Sequence, residues 1–168
     1  MFSKSSTVMA ALFAAICMFA SSGAQAQTTA NANFNVTATI IASCSISATD
    51  LAFGNYDPLS LTPTDQTTTI AVTCTNGAPY TVTLNGGLSG NVAARTMDDD
   101  TTGTSFLNYN LFTDAPGGTV WGDTGPAGVA GTGTGSNQNI TVHGRIPAGQ
   151  TTPVMDSYTD TIQATITY

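Results

Sequence analysis

Within the last eleven residues, Tyr158 to Tyr168, apolar and polar residues alternate one for one from Ile162 onward. Ile162, Ala164, Ile166 and Tyr168 fall on one face; Thr159, Thr161, Gln163, Thr165 and Thr167 fall on the other. Strict period-two alternation predicts a half-buried β-strand, and no further strand follows for it to pair with. A second run of the same kind lies near the other end, where Ala32, Phe34, Val36, Ala38 and Ile40 share a face. Residues 27–46 therefore read as one long extended segment. Between the two runs, Ile70, Val72 and Cys74 are in phase over Thr67–Thr75, and Tyr80, Val82 and Leu84 follow. Asn76-Gly77 separates these two strands and reads as a hairpin turn, lengthened by Ala78-Pro79. A brief strand is expected near Ala93–Met97. Ser105–Thr113 places Leu107, Tyr109 and Leu111 on one face and Phe106 and Phe112 on the other, which predicts cover on both faces. Thr119–Trp121 resumes it briefly, and Asn139–Pro147 brings Ile140, Val142 and Ile146 into phase. Leu51–Tyr56 is a short apolar piece ahead of the breaker Asp57-Pro58. The Gly- and Thr-rich Gly122–Ser136 reads as a mobile loop. After residue 26 no segment repeats apolar residues at helical spacing, so the expected fold class is an all-β sandwich.

The first 26 residues read as a separate element. Lys4 precedes an apolar run of thirteen residues, Val8–Ala20, and Ala24-Gln25-Ala26 has the small-x-small form of a cleavage site. That is the pattern of a secretory signal peptide. The run is too short for a bilayer core about 30 Å thick, so no membrane insertion is expected. The remaining 142 residues, 27–168, are enough for one domain with its own core.

Charge narrows the function classes. Residues 27–168 hold ten Asp and two Arg, with no Glu and no Lys, a formal charge of −8. Nucleic-acid binding is excluded as a reading, because it needs basic clusters that displace counterions. Catalysis is poorly provisioned: His143 and the Asp residues are the only conventional acid–base groups, and no Gly-rich loop opens a helix to cradle phosphate. We expect no enzyme and no cofactor. Asp98-Asp99-Asp100, followed by Thr101-Thr102-Gly103, is the one cluster with calcium-like ligands, but three consecutive Asp do not converge as a calcium loop does. It reads as a solvated loop tip. Cys17 falls in the signal segment, which leaves Cys44 and Cys74, an even pair in an exported chain and the expected disulfide. That bond would bring the Val36–Ile46 and Thr67–Thr75 strands side by side.

The sheet edges carry the remaining information. An unpaired apolar edge aggregates unless something covers it. The first alternating run either pairs within its own domain or is added to the open edge of another copy; alternation alone fits both. Several stretches resemble the spore coat protein U domain family, which includes major subunits of archaic chaperone–usher pili. They are Leu107-Asn108-Tyr109-Asn110-Leu111-Phe112-Thr113-Asp114, Val120-Trp121-Gly122-Asp123, Val142-His143-Gly144-Arg145-Ile146-Pro147-Ala148-Gly149-Gln150 and Ser157-Tyr158-Thr159-Asp160-Thr161, with Leu51-Ala52-Phe53-Gly54 and the positions of Cys44 and Cys74. The resemblance implies an incomplete immunoglobulin-like β-sandwich completed by a donated strand. It also implies a periplasmic chaperone, an outer-membrane usher, and copies of the chain joined in a surface fibre that supports adhesion or biofilm formation. On that reading residues 27–37 are the donor segment, with Ala30, Ala32, Phe34 and Val36 as its inward residues. Ile162, Ala164, Ile166 and Tyr168 border the accepting groove. The long Gly122–Ser136 loop departs from the family pattern, so no receptor site is carried over. The alternative is a secreted, non-polymerising coat protein with a closed sandwich.

Overall fold

The computed structural model describes residues 27–168; the expected signal peptide lies outside the described residues. Among the described residues nine strands form: β1 (Cys44–Ala48), β2 (Thr64–Cys74), β3 (Pro79–Leu84), β4 (Arg95–Asp99), β5 (Phe106–Phe112), β6 (Val129–Thr132), β7 (Asn137–Ile146), β8 (Tyr158–Thr159) and β9 (Ala164–Thr167). Six make one sheet in the order β1-β2-β7-β5-β4-β8, and three make a second in the order β6-β3-β9. All named ladders are antiparallel. The expected all-β sandwich is therefore the fold, and all of its strands lie within one compact unit, residues 39–168.

The inward residues are those the alternation selects. Ile70, Val72 and Cys74 from β2, Tyr80, Val82 and Leu84 from β3, Leu107, Tyr109 and Leu111 from β5, and Val142 and Ile146 from β7 meet in one buried cluster. Trp121 completes it, fully buried, and its indole Nε1 donates to the Val82 carbonyl at 2.9 Å across the gap between the sheets. A burial pattern of period two against a common core is what half-buried strands produce.

Several expectations are corrected. Asn76-Gly77 is a turn, with Gly77 at φ +83, but not a hairpin. It carries the chain from the large sheet to the small one, because β2 pairs with β1 and β7 while β3 pairs with β6 and β9. The Gly122–Ser136 segment is not a simple loop. It contains β6, whose Val129 sits opposite Val82. Gly131 there packs under the Tyr80 ring, where a Cβ would collide, so the glycines that hid the strand are what let it approach. Phe112 is buried but Phe106 is half-exposed, so the outer face of β5 is covered only at one end. The final run is two strands rather than one: β8 pairs with β4 in the large sheet and β9 with β3 in the small sheet. The long first segment holds no strand until Cys44, and Phe34, Val36, Ile40 and Ile41 are all at least 76% exposed.

β1 does run beside β2, and Cys44 is paired with Cys74 in register and bonded to it, with Cα atoms 4.1 Å apart. Closing a loop of this length restricts the unfolded chain by about 3–4 kcal/mol. Replacing both cysteines with serine should lower the unfolding free energy by about that amount without changing the sheet content. Denaturant titration of the two forms, followed by circular dichroism, measures this.

Candidate functional site

The sandwich is open along one flank. The stretch that follows β1, residues 49–58, forms one wall, and residues 153–164 form the other. The walls run antiparallel to each other, because Ala48 and Ala164 line one end of the gap while Pro58 and Pro153 line the other. Two clefts of about 340 and 640 Å³ share Leu51, Phe53, Met97 and Tyr158, so they form one continuous groove. Its floor is the core itself: Ile70, Leu84, Leu107, Tyr109, Leu111, Val142 and Ile146 all border it.

The wall residues are half-buried where the floor residues are buried. Leu51, Phe53 and, three residues further on, Tyr56 are the half-buried residues of the first wall, and Tyr158, Asp160, Ile162 and Ala164 alternate along the second. Leu51 and Phe53 come close because β7 carries Gly144 beneath them; a Cβ there would lie 2.5 Å from Leu51 Cδ2 and 2.8 Å from Phe53 Cζ. Phe53 meets the Tyr109 ring edge-on at 6.2 Å. The Tyr56 hydroxyl anchors the first wall by donating to the Pro147 carbonyl at 2.8 Å and accepting from the Gln150 N–H at 2.9 Å. Neither wall is laddered along its length: residues 49–57 and 160–163 belong to no strand. Among the described residues, the backbone N–H and C=O of Phe53 and of Ile162 find no backbone partner. A row of unpaired backbone groups beside an apolar floor is a sheet edge that lacks its neighbour.

Of the residues expected to border a groove, Ile162 and Ala164 line it. Ile166 lies beyond it, half-buried opposite Val82, and Tyr168 is 57% exposed. Ala30, Ala32, Phe34 and Val36 lie in the exposed, strandless run. The other wall, Leu51 to Tyr56, was visible in the sequence only as a short apolar piece. Only Leu51 and Phe53 there are two residues apart, with Tyr56 three further on, so no period of two marks an edge.

Two Asp-rich and Arg-rich features turn inward. Asp99 is buried, not part of a solvated tip as expected. Its carboxylate accepts from the Thr102 hydroxyl at 2.6 Å and from the N–H groups of Thr102, Thr104 and Ser105 at 2.7–2.8 Å. These bonds, the Thr102 hydroxyl first, hold its acid form far below the usual carboxylate range. Among the described residues no three His, Cys, Asp or Glu side chains are grouped to hold a metal ion. Arg95 is fully buried with no carboxylate in contact. Nε and Nη2 donate to the Asn85 carbonyl at 2.9 and 2.7 Å, Nη2 also to the Trp121 carbonyl at 2.7 Å, and Nη1 to Asn110 Oδ1 at 2.7 Å. Burial lowers its pKa, and the negative charges around it oppose that. The second cation, Arg145, sits opposite Asp65 in the β2–β7 ladder and grips it with two bonds of 2.7 Å.

Fold and flank together define an immunoglobulin-like sandwich with one strand position open. The chain belongs to the Spore Coat Protein U domain family, whose description matches residues 30–165. It is similar to a solved structure of the CsuC–CsuE chaperone–tip adhesion subunit pre-assembly complex from archaic chaperone–usher Csu pili of Acinetobacter baumannii. The identity is 27% and the TM-score 0.55, over 77% of this chain and 40% of that one. The chain thus spans well under half the length of that relative. No curated protein matches it.

Asp99 gives this region a pH dependence with a definite sign. Its folded-state pKa lies below the unfolded value near 4, so its contribution is complete above that value and is lost as pH falls through the folded one. Asp99→Asn should therefore be less stable than the parent at pH 7, and the gap should narrow steadily below pH 4. Melting temperatures of both proteins from pH 7 to pH 2 check this; a gap independent of pH would contradict it.

Proposed function

We propose that this chain is a structural subunit of a surface pilus assembled through a periplasmic chaperone and an outer-membrane usher by exchange of donated strands. The observation that carries the reading is the open groove, with unpaired backbone on both walls and the core for a floor. An occupant must be an extended segment with apolar residues at alternate positions, because only that shape fills an apolar floor while bonding to both edges. Residues 27–43 of another copy meet that description: no strand of their own, no charged side chain, and Ala30, Ala32, Phe34 and Val36 in phase. The family and fold are those of structural pilus subunits rather than enzymes. The similar Csu subunit is in complex with a chaperone, which supports a chaperone as the transient occupant here. A closed, non-polymerising sandwich is disfavoured by the open flank. Export and a place in a cell-surface fibre follow from the same reading, as does a role in adhesion or biofilm formation. Among the described residues no helix is long and apolar enough to cross a membrane.

Phe34 is the largest side chain of the donor run and is 86% exposed. Burying it in a neighbour is worth about 1.5–3 kcal/mol. Phe34→Asp would instead bury an unpaired carboxylate, at a cost of about several kcal/mol, in a groove whose lining holds no Arg or Lys. The subunit should still fold with its chaperone but should not form fibres, and deletion of Thr28–Asn35 should do the same. Electron microscopy of expressing cells and boiling-resistant ladders on gels read the outcome. Normal fibres from both variants would remove this segment as the donor.

A further inference from the structure

The final alternating run breaks at one place, and the break has a specific cause. β8 ends at Thr159 in the large sheet and β9 starts at Ala164 in the small sheet, so residues 160–163 cross the opening between them. Asp160 stands at the crossing and lines the groove. Its Oδ2 accepts from the Tyr109 hydroxyl, on the groove floor, at 2.6 Å. Its Oδ1 accepts from the Leu88 N–H at 2.8 Å and from its own neighbour, the Thr161 N–H, at 2.6 Å. The carboxylate thus ties the second wall to β5 and to the turn after β3. That turn is shaped to receive it: Gly87 has φ +60, and a Cβ on it would collide with the Asp160 carboxylate.

Asn85 caps the other end of the crossing. Its Oδ1 accepts from the Gln163 N–H at 2.9 Å, and its own N–H donates to the Gln163 carbonyl at 3.1 Å. Side chains therefore take the Thr161 and Gln163 N–H groups, the Gln163 carbonyl stays paired to the Asn85 backbone, and Ile162, between the two caps, is left with no backbone partner for its N–H and C=O groups. The apolar pattern marks this break only at Asp160, the one charged residue in the inward phase of the run; on either side of it the alternation keeps the same phase. A wall free to continue its ladder would move onto β4 or onto β3 and would narrow or misplace the opening.

We propose that the Tyr109–Asp160 hydrogen bond is a positioning latch for the groove, holding residues 160–163 across the gap so that the Ile162 backbone stays open to an incoming strand. This rests on the strand-accepting reading of the groove. Asp160 acts through the wall rather than by filling the floor, so breaking the latch lowers strand uptake more than it lowers stability.

The test uses the subunit purified with its chaperone and a synthetic peptide of residues 28–41. Displacement of the chaperone by the peptide is followed by native mass spectrometry, beside melting temperatures of each complex. Asp160→Asn and Tyr109→Phe should each slow peptide uptake by about tenfold or more, as expected for a lost bond to a charged group. Asp114→Asn removes a carboxylate that accepts from Thr119 and Ala115 in a turn away from the groove, and should leave uptake at the parent rate. Tyr109→Phe keeps the ring and serves alone if Asp160→Asn does not fold. Parent-rate uptake by the folded latch variants would overturn the proposal, and so would equal slowing by Asp114→Asn. If the parent complex itself refuses the parent peptide, the donation reading fails and takes the latch with it; if it accepts that peptide but refuses one carrying Phe34→Asp, donation stands and only the latch is in question.

Discussion

Backbone amides and carbonyls in a sheet must find partners, and along one flank of this sandwich the described residues leave that demand unmet. Nine antiparallel strands satisfy one another in two sheets, while residues 49–57 and 160–163 face each other without a ladder. The groove along the same flank is floored by the core residues Ile70, Tyr109, Leu111 and Val142. An apolar floor and unpaired edges are individually costly; together they specify one kind of occupant, an extended strand with alternating side chains. The exposed run before Cys44 has that character, and the proposed strand exchange rests on it.

A sandwich with an open side needs its two sheets fastened by something other than a complete core. Here the fastening is polar and internal. Trp121 reaches from the connection after β5 to a carbonyl of β3, and Arg95 on β4 gathers carbonyls from Asn85 and Trp121. A buried guanidinium without a carboxylate is tolerable only because its donors are aimed at acceptors already fixed by the fold. These contacts set the spacing of the sheets next to the groove, where packing across the missing strand cannot.

The alternation of apolar residues made most strands legible, because inward positions on β2, β3, β5 and β7 obey a period of two and face a common core. It failed where geometry is set by side-chain hydrogen bonds or by close backbone approach. β6 was hidden by Gly128 and Gly131, whose missing side chains permit its packing. The split between β8 and β9 is marked in the pattern only by Asp160, a lone carboxylate in the inward phase that Tyr109 captures, while Gln163, captured by Asn85, keeps its polar phase. Asn76-Gly77 announced a turn correctly but could not say which sheet the chain entered next. Of the groove, one wall was readable as the terminal run. The other, Leu51–Tyr56, lacks ladder partners in the single chain and so leaves only a faint strand signature. Stretches that carried the family resemblance converge in space: Tyr109 from one bonds Asp160 from another, and Asn108 bonds Gln150.

The placement of the two arginines has a consequence for resistance to proteolysis. Trypsin-like proteases cut after Arg or Lys, and residues 27–168 contain no Lys. Arg95 is sealed in the interior, and Arg145 lies within a central strand with its side chain clamped to Asp65. A protease of that specificity would have to open the sandwich before it found a bond to cut. The near absence of basic residues thus makes the folded domain a poor substrate for a common class of digestive enzyme.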